Sequence, residues 1–402
     1  MFSKIKGPAF LSASDSISKF IVFILLPFIA SYFDTNSLNS YLFNLLFFQL
    51  LSVLFLNSLN NLIVIDVVNC NESVYKKNFH SYLNTMLFLF VIGSCIYSLV
   101  SHLFFEDLFL GLVISISALS NALVIFILAY ARAKRIFSPI AYLLLQKFFL
   151  ILVINLILIP QFPYEHLIFL ITGFVNAYVI LRSLKIFKIE HSLSKFNLGS
   201  ISYPLKYGFS LIPHTLSNWI RGSADKFFVY GLFSGTALSA YLIAYQYTSY
   251  VIVFFTILSQ MIQPFIFKSL KDQNSNFSKH FITYGLFALI ITIGAYFVVS
   301  LIINFFFIES YRIALDFFSL MIIGAFFQAL YFYLSHFFVY FKENLFLSKT
   351  SMYVSLILVV CGFLVAEYVP TLKAFSILFV VAPVSLFFIC SYNFIKMTST
   401  KK

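Results

Sequence analysis

Residues 203–232 read YPLKYGFSLIPHTLSNWIRGSADKFFVYGL. The stretch has the length of a membrane helix and keeps Arg221, Asp225 and Lys226 in its interior. Each such charge near a bilayer centre costs about 2.5–3.5 kcal/mol. A helix that retains three of them is expected to turn them toward a cavity or a partner, not toward lipid. At about 3.6 residues per turn His214, Asn218, Arg221 and Asp225 share one face, with Ser217 beside it and Lys226 off to one side. Arg221 falls close to the middle of the helix. Pro213 removes a backbone hydrogen bond one turn before Asn218 and predicts a kink. Arg221 and Asp225, four residues apart, can pair and merely staple the helix. That pairing leaves Lys226 uncompensated, which favours a hydrated cavity.

The rest of the chain supplies the membrane context. Of its 402 residues 61% are hydrophobic and only 10% are charged, whereas soluble domains are about 45–50% apolar and about 25% charged. The 55 Phe residues read as filler for lipid-facing surface. The net charge of +12 does not point to nucleic acid, because the basic residues sit in short loops between apolar stretches. Cys70, Cys95, Cys361 and Cys390 are isolated, so neither a zinc site nor a redox pair is indicated. The N-terminal segment has a basic start but no small-residue cleavage site, so the first helix is expected to be retained.

A span needs about 20 mostly apolar residues. Twelve are found, at 9–33, 38–65, 80–104, 108–131, 138–160, 165–187, 204–233, 238–267, 280–307, 312–341, 348–367 and 371–395. The fold class expected is therefore an all-α polytopic membrane protein. Alternate loops carry nearly all the Lys and Arg. The opposite loops hold only Arg312 and Lys373, beside Asp34, Glu106, Asp107, Glu165, Glu309 and Glu367. The bias of Lys and Arg toward the cytoplasm puts both termini there, and an even number of spans agrees. The outer loops are too short to fold as a catalytic domain. The longest connection, 188–203, divides the chain into an N-terminal lobe (1–187) and a C-terminal lobe (204–402). Part of it is able to lie on the membrane surface as a short amphipathic helix.

The first span echoes the seventh. Lys19-Phe20-Ile21-Val22 follows Asp15, and Lys226-Phe227-Phe228-Val229 follows Asp225. Parallel six-helix repeats are common in transporters. Asp15 and Lys19 share a face and can neutralise each other. Lys147 in the fifth span stands beside Gln146, either deep or reaching for the cytoplasmic edge. The intramembrane cations Lys19, Lys147, Arg221 and Lys226 outnumber Asp15 and Asp225, so a cavity lined by them suits an anion, with a pyrophosphate or phosphate diester the natural candidate. Asp15 and Asp225 are candidates for charge pairing or for binding a coupling ion. His214, Asn218, Gln246 and Tyr250 are candidate polar lining, although such residues also serve helix–helix hydrogen bonding. No Walker A, HExxH or GxSxG sequence occurs, and the His residues show no ligand spacing. Neither a metal nor a cofactor is expected.

The run KYGFSLIPHTLSNWIRGSADKFFVYGLFSGTALSAYLIAYQYTSYVIVFFTILSQMIQPFIFKSL, 206–270, resembles the start of the second half of bacterial polysaccharide flippases. Gly208, Pro213, Asp225, Lys226, Phe227, Gly235, Tyr241 and Pro264 carry the likeness. It is to the O-antigen (Wzx-type) branch of the multidrug/oligosaccharidyl-lipid/polysaccharide exporter superfamily. The resemblance implies two six-helix lobes in a V around a central cationic cavity. It implies a non-enzymatic flippase of the bacterial inner membrane, serving lipopolysaccharide or related polysaccharide biosynthesis. The substrate implied is an undecaprenyl-pyrophosphate-linked oligosaccharide, moved by alternating access coupled to a cation (H+ or Na+) or to the membrane potential. Other polysaccharide-assembly membrane proteins join the lipid bilayer as candidate partners. In this picture Lys19 faces Arg221 and Lys226 from the first lobe. The count of twelve spans argues against the lipid II flippase branch, which usually has fourteen. The rival readings are a drug or small-solute antiporter of the same superfamily and a polytopic O-antigen polymerase or ligase, which usually carries a large outer loop.

Overall fold

The computed structural model describes residues 2–187, 198–271, 277–341 and 343–399. Among them the regular structure is helical throughout. The first eight helices are α1 (Phe2–Lys19), α2 (Ile21–Tyr32), α3 (Thr35–Leu56), α4 (Leu59–Asn69), α5 (Glu72–Phe105), α6 (Leu108–Lys134), α7 (Ser138–Leu158) and α8 (Glu165–Phe187). They are followed by α9 (Leu198–Leu232), α10 (Gly235–Lys271), α11 (Phe277–Phe306), α12 (Ala314–Tyr340), α13 (Asn344–Tyr368) and α14 (Leu372–Ser399).

Two of the expected spans are broken rods. The first is interrupted at Phe20, where the ladder tightens and the Phe20 N–H is shared between the Ser16 and Ile17 carbonyls. The second bends where Asn57 and Ser58 take left-handed backbone angles, φ 45 and 59. Counted through these breaks, eleven helical stretches among the described residues are long and apolar enough to cross a membrane, and the chain is a multi-pass membrane protein. The exception among the twelve expected spans is α9. It has the length, but its charged and polar residues dilute its apolar character below that of the others. Helix begins at Leu198, so 198–203, expected in the linker, form the first turns of α9. Residues 188–197 lie outside the described residues.

The chain divides into two compact units, Met1–Thr215 and Leu216–Lys402, the division falling inside α9. In the first unit α6 is the hub, touching α3, α4, α5 and α8. Small residues make this possible, because Gly111, Ser115, Ser117, Ala118, Ser120 and Ala122 are all buried on α6 and let neighbouring backbones approach. Leu11 of α1, Leu128 and Ala131 of α6 and Leu144 and Val179 of α7 and α8 form one apolar cluster. In the second unit α12 is the hub, against α10, α11, α13 and α14. The α9–α10 turn is made by Gly235 at φ +66, an angle that L side chains rarely adopt.

Buried polar ties cross both units. Ser40 donates to Glu165 Oε1 at 2.7 Å and Tyr97 donates to Asn44 Oδ1 at 2.6 Å, linking α3, α5 and α8. Tyr82 and Asn78 of α5 both donate to Asp66 of α4, at 2.5 and 2.7 Å. In the second unit Ser259 of α10 and His336 of α12 meet at 2.7 Å.

Local geometry at two positions sets measurable expectations. A Cβ on Gly111 would come within 2.7 Å of the Ser98 Cα on α5, and backbone cannot rotate away. Gly111→Ala should cost about 1–3 kcal/mol, read as a lower Tm in detergent, whereas Gly294→Ala, with no atom within 4 Å, should lose nothing. At the start of α3 the Asp34 side chain caps the Asn36 and Ser37 N–H groups at 3.1 and 3.3 Å. Its bond from the Ser37 hydroxyl outweighs partial burial and holds the carboxyl below its ordinary 3.8. The cap therefore contributes fully above that value and is lost as pH falls through the lower folded one. Asp34→Ala should cost about 1 kcal/mol, seen at neutral pH as faster hydrogen exchange in the first turn of α3.

Candidate functional site

The second unit resolves the question posed by α9, and the answer differs from the expected pairing. Among the described residues no Arg221–Asp225 ion pair forms. Asp225 pairs instead with its neighbour Lys226, Nζ to Oδ1 2.7 Å, with side chains 1% and 0% exposed. The ammonium also donates to the Gly222 carbonyl at 2.6 Å and lies 3.4 Å from the centroid of the Tyr245 ring and 4.7 Å from that of Phe379. Tyr241 donates to the other Asp225 oxygen at 2.5 Å. Burying a charge in apolar surroundings is tolerable only when it is paired and hydrogen-bonded, and both conditions are met here. Lys226 and Asp225 thus form a buried pair in this structure, in which Asp225 takes the charge-pairing role. Gln246 and Tyr250 are likewise buried and bond each other along α10 at 2.8 Å. In this structure that bond serves the packing of the bundle.

Arg221 is left in a different state. Its Nη2 donates to Asn218 Oδ1, one turn back, and Asn218 lies 3.5 Å from the Ser351 hydroxyl of α13. The guanidinium carbon sits 6.0 Å from the Tyr331 ring centroid. Nε and Nη1 are buried and meet no hydrogen-bond acceptor among the described residues. A buried donor without an acceptor is costly, and a guanidinium is built to grip oxyanions through several N–H groups at once. The side chains of Pro213 and His214 lie outside the described residues. Trp219, the single tryptophan of the chain, packs edge-on against Phe227 at 5.6 Å.

In the first unit Asp15 gathers cations. Lys19 Nζ lies 2.9 Å and Arg132 Nη2 3.1 Å from the same Asp15 oxygen. The carboxylate side chain is 11% exposed, while the two basic side chains are 47% and 45% exposed. Lys147 of α7 is buried and feels the charges of both Asp15 and Lys19. Two cations therefore share one carboxylate, and the buried Lys147 adds a third positive charge to the same unit. Arg132 is absent from the sequence-derived site because it stands among the loop cations Lys134 and Arg135, where it reads as an orientation signal. Its spacing from Asp15, 117 residues away, carries no periodic hint.

No protein-family model matches the sequence, and no curated protein matches it. Solved structures do match. The lipid II flippase MurJ in its inward closed conformation superposes with a TM-score of 0.69 at 15% identity, over 95% of this chain and 87% of that one. The fold is that of MurJ and the MATE transporters. The eukaryotic MATE transporter AtDTX14 gives a TM-score of 0.67 at 10% identity, covering 98% of this chain and 96% of its own. An outward-facing multidrug resistance MATE family transporter of the MOP superfamily gives 0.62 at 12%, covering 99% and 97%. This MurJ/MATE-like fold has two lobes, and at such identities the likeness carries the fold alone.

The two aspartates predict opposite sensitivities. Asp225→Ala leaves the Lys226 charge buried and unpaired and should cost about 3–5 kcal/mol. The double change Asp225→Leu with Lys226→Met should recover most of that loss. Asp15→Asn frees two half-exposed cations into water and should cost about 1 kcal/mol or less. Thermal unfolding of the three variants in one detergent checks the ordering.

Proposed function

We propose that the chain is a flippase for a lipid-linked oligosaccharide, with an undecaprenyl-pyrophosphate carrier, of the O-antigen or related type. The observation that carries the reading is the half-buried Arg221 guanidinium, beside Tyr331, whose buried Nε and Nη1 meet no well-aligned acceptor among the described residues, on a fold shared with a lipid II flippase. An oxyanion is the ligand such a group accepts best, and a pyrophosphate supplies several acceptor oxygens. The cation group of Lys19, Arg132 and Lys147 offers a second place for the same anion during the transport cycle, with Asp15 holding Lys19 and Arg132 in position. Transport by alternating access in the inner membrane, driven by an ion gradient or the membrane potential, belongs to this proposal, as does the cytoplasmic placement of both termini. No step of bond making is required of the chain.

The cationic inventory of these positions favours an anionic substrate over the cationic drugs of an antiporter. A flippase moves its substrate between leaflets without lengthening the glycan, which separates it from a polymerase. In proteoliposomes, lipid-linked glycan should become accessible in the opposite leaflet at unchanged chain length. Arg221→Ala should abolish that movement while leaving insertion and Tm intact, and Arg221→Lys should restore part of it. Arg132→Ala should slow it. Undiminished transport by Arg221→Ala would remove the anion assignment.

A further inference from the structure

A groove on the second unit lies apart from the cationic sites. Ile262 and Ile266 of α10, Tyr284 and Phe287 of α11 and Tyr333 of α12 form its walls, and it holds about 290 Å³. His280 and Thr283 line one end. His280 and the adjacent Lys279 are exposed in the first turn of α11. α11 is among the helices least covered by protein, with only 22% of its apolar stretch buried, and Ile282, Leu286 and Ile290 stand exposed along it.

These walls offer water few partners, and ordered water needs several. On a helix that faces the bilayer, the matter at hand to fill such a groove is a hydrocarbon chain. Its mouth, however, is basic, and basic pockets between membrane helices select anionic lipid headgroups. One turn deeper than His280 the Tyr284 hydroxyl is buried and has no hydrogen-bond partner among the described residues, although the ring is 5.0 Å from that of Tyr333. The groove thus grades from charge to an unengaged hydroxyl to plain apolar wall, in the order phosphate, ester and acyl chain.

We propose that the α10–α11–α12 groove is a binding site for an anionic phospholipid of the leaflet on the lysine-rich side. One acyl chain lies against Ile262, Ile266 and Phe287, and the phosphate sits at Lys279 and His280. The site is independent of the transported substrate and of the Arg221 reading.

The test uses the full chain with Trp219→Phe and Phe287→Trp, so that the sole tryptophan reports from the groove wall. Nanodiscs contain phosphatidylcholine with either brominated phosphatidylglycerol or brominated phosphatidylcholine, and quenching gives the relative affinity of the two lipids. Phosphatidylglycerol should be preferred about fivefold, the scale set by one basic residue at an anionic headgroup. Lys279→Gln with His280→Gln should bring the ratio to unity. A reporter at Phe363 of α13, exposed and away from the groove, should show no preference in the unsubstituted background. Equal quenching by the two lipids at Phe287→Trp, or a preference that survives the double substitution, overturns the proposal. Displacement of brominated phosphatidylglycerol by undecaprenyl phosphate as readily as by unlabelled phosphatidylglycerol also overturns it, and gives the groove to the substrate chain instead.

Discussion

The second unit is organised around one buried ion pair. A bare ammonium or carboxylate inside a membrane protein is tolerated only with a partner at hand and its remaining hydrogen-bonding capacity used. Asp225 and Lys226 satisfy this by recruiting Tyr241 and Tyr245 from α10 and Phe379 from α14. Those contacts fix the rotation of α9 about its own axis. With Asp225 and Lys226 both turned inward, Arg221, about one turn earlier, is held on the adjoining flank beside Asn218 and Tyr331. The pair at the core and the partly engaged guanidinium are two results of one helix orientation.

The first unit handles the equivalent residues in another way. Asp15 also lies on the opening helix and also takes a Lys, but here the partner is Lys19 four residues on, and Arg132 joins from α6. The carboxylate is sheltered while its cations reach outward. One unit commits its Asp–Lys pair to packing, and the other leaves its basic groups half-exposed. The two segments that echo each other in the sequence pair their Asp and Lys differently in the structure.

Much of the architecture is legible in the amino-acid sequence. Apolar stretches mark all the long helical rods among the described residues but α9, which its length and charged interior mark instead, and short loops with segregated charge give their succession. What the sequence hides, it hides for physical reasons. The break at Phe20 carries no Gly or Pro to announce it, and the one at Asn57–Ser58 is marked only by an Asn, which tolerates the left-handed angle it adopts. The choice of Lys226 over Arg221 as the partner of Asp225 depends on aromatic rings contributed by helices 16 to 154 residues away, which helical periodicity within α9 does not contain. Arg132 is masked by its company, because a basic residue at the end of a membrane helix ordinarily serves orientation. Gln246 and Tyr250 read equally well as polar lining and as an internal tie, and periodicity along α10 does not contain the bond they make to each other.

The unequal exposure of the two pairs has a consequence for the ionic medium. Mobile ions screen charges that solvent can reach, with a Debye length of about 8 Å at physiological strength and about 3 Å at 1 M. The links from Lys19 and Arg132 to Asp15 lie within that reach, so rising salt loosens the joint between α1 and α6. The Lys226–Asp225 pair is shut away from counterions and holds regardless. The protein therefore contains one joint that its surroundings can tune and one that they cannot.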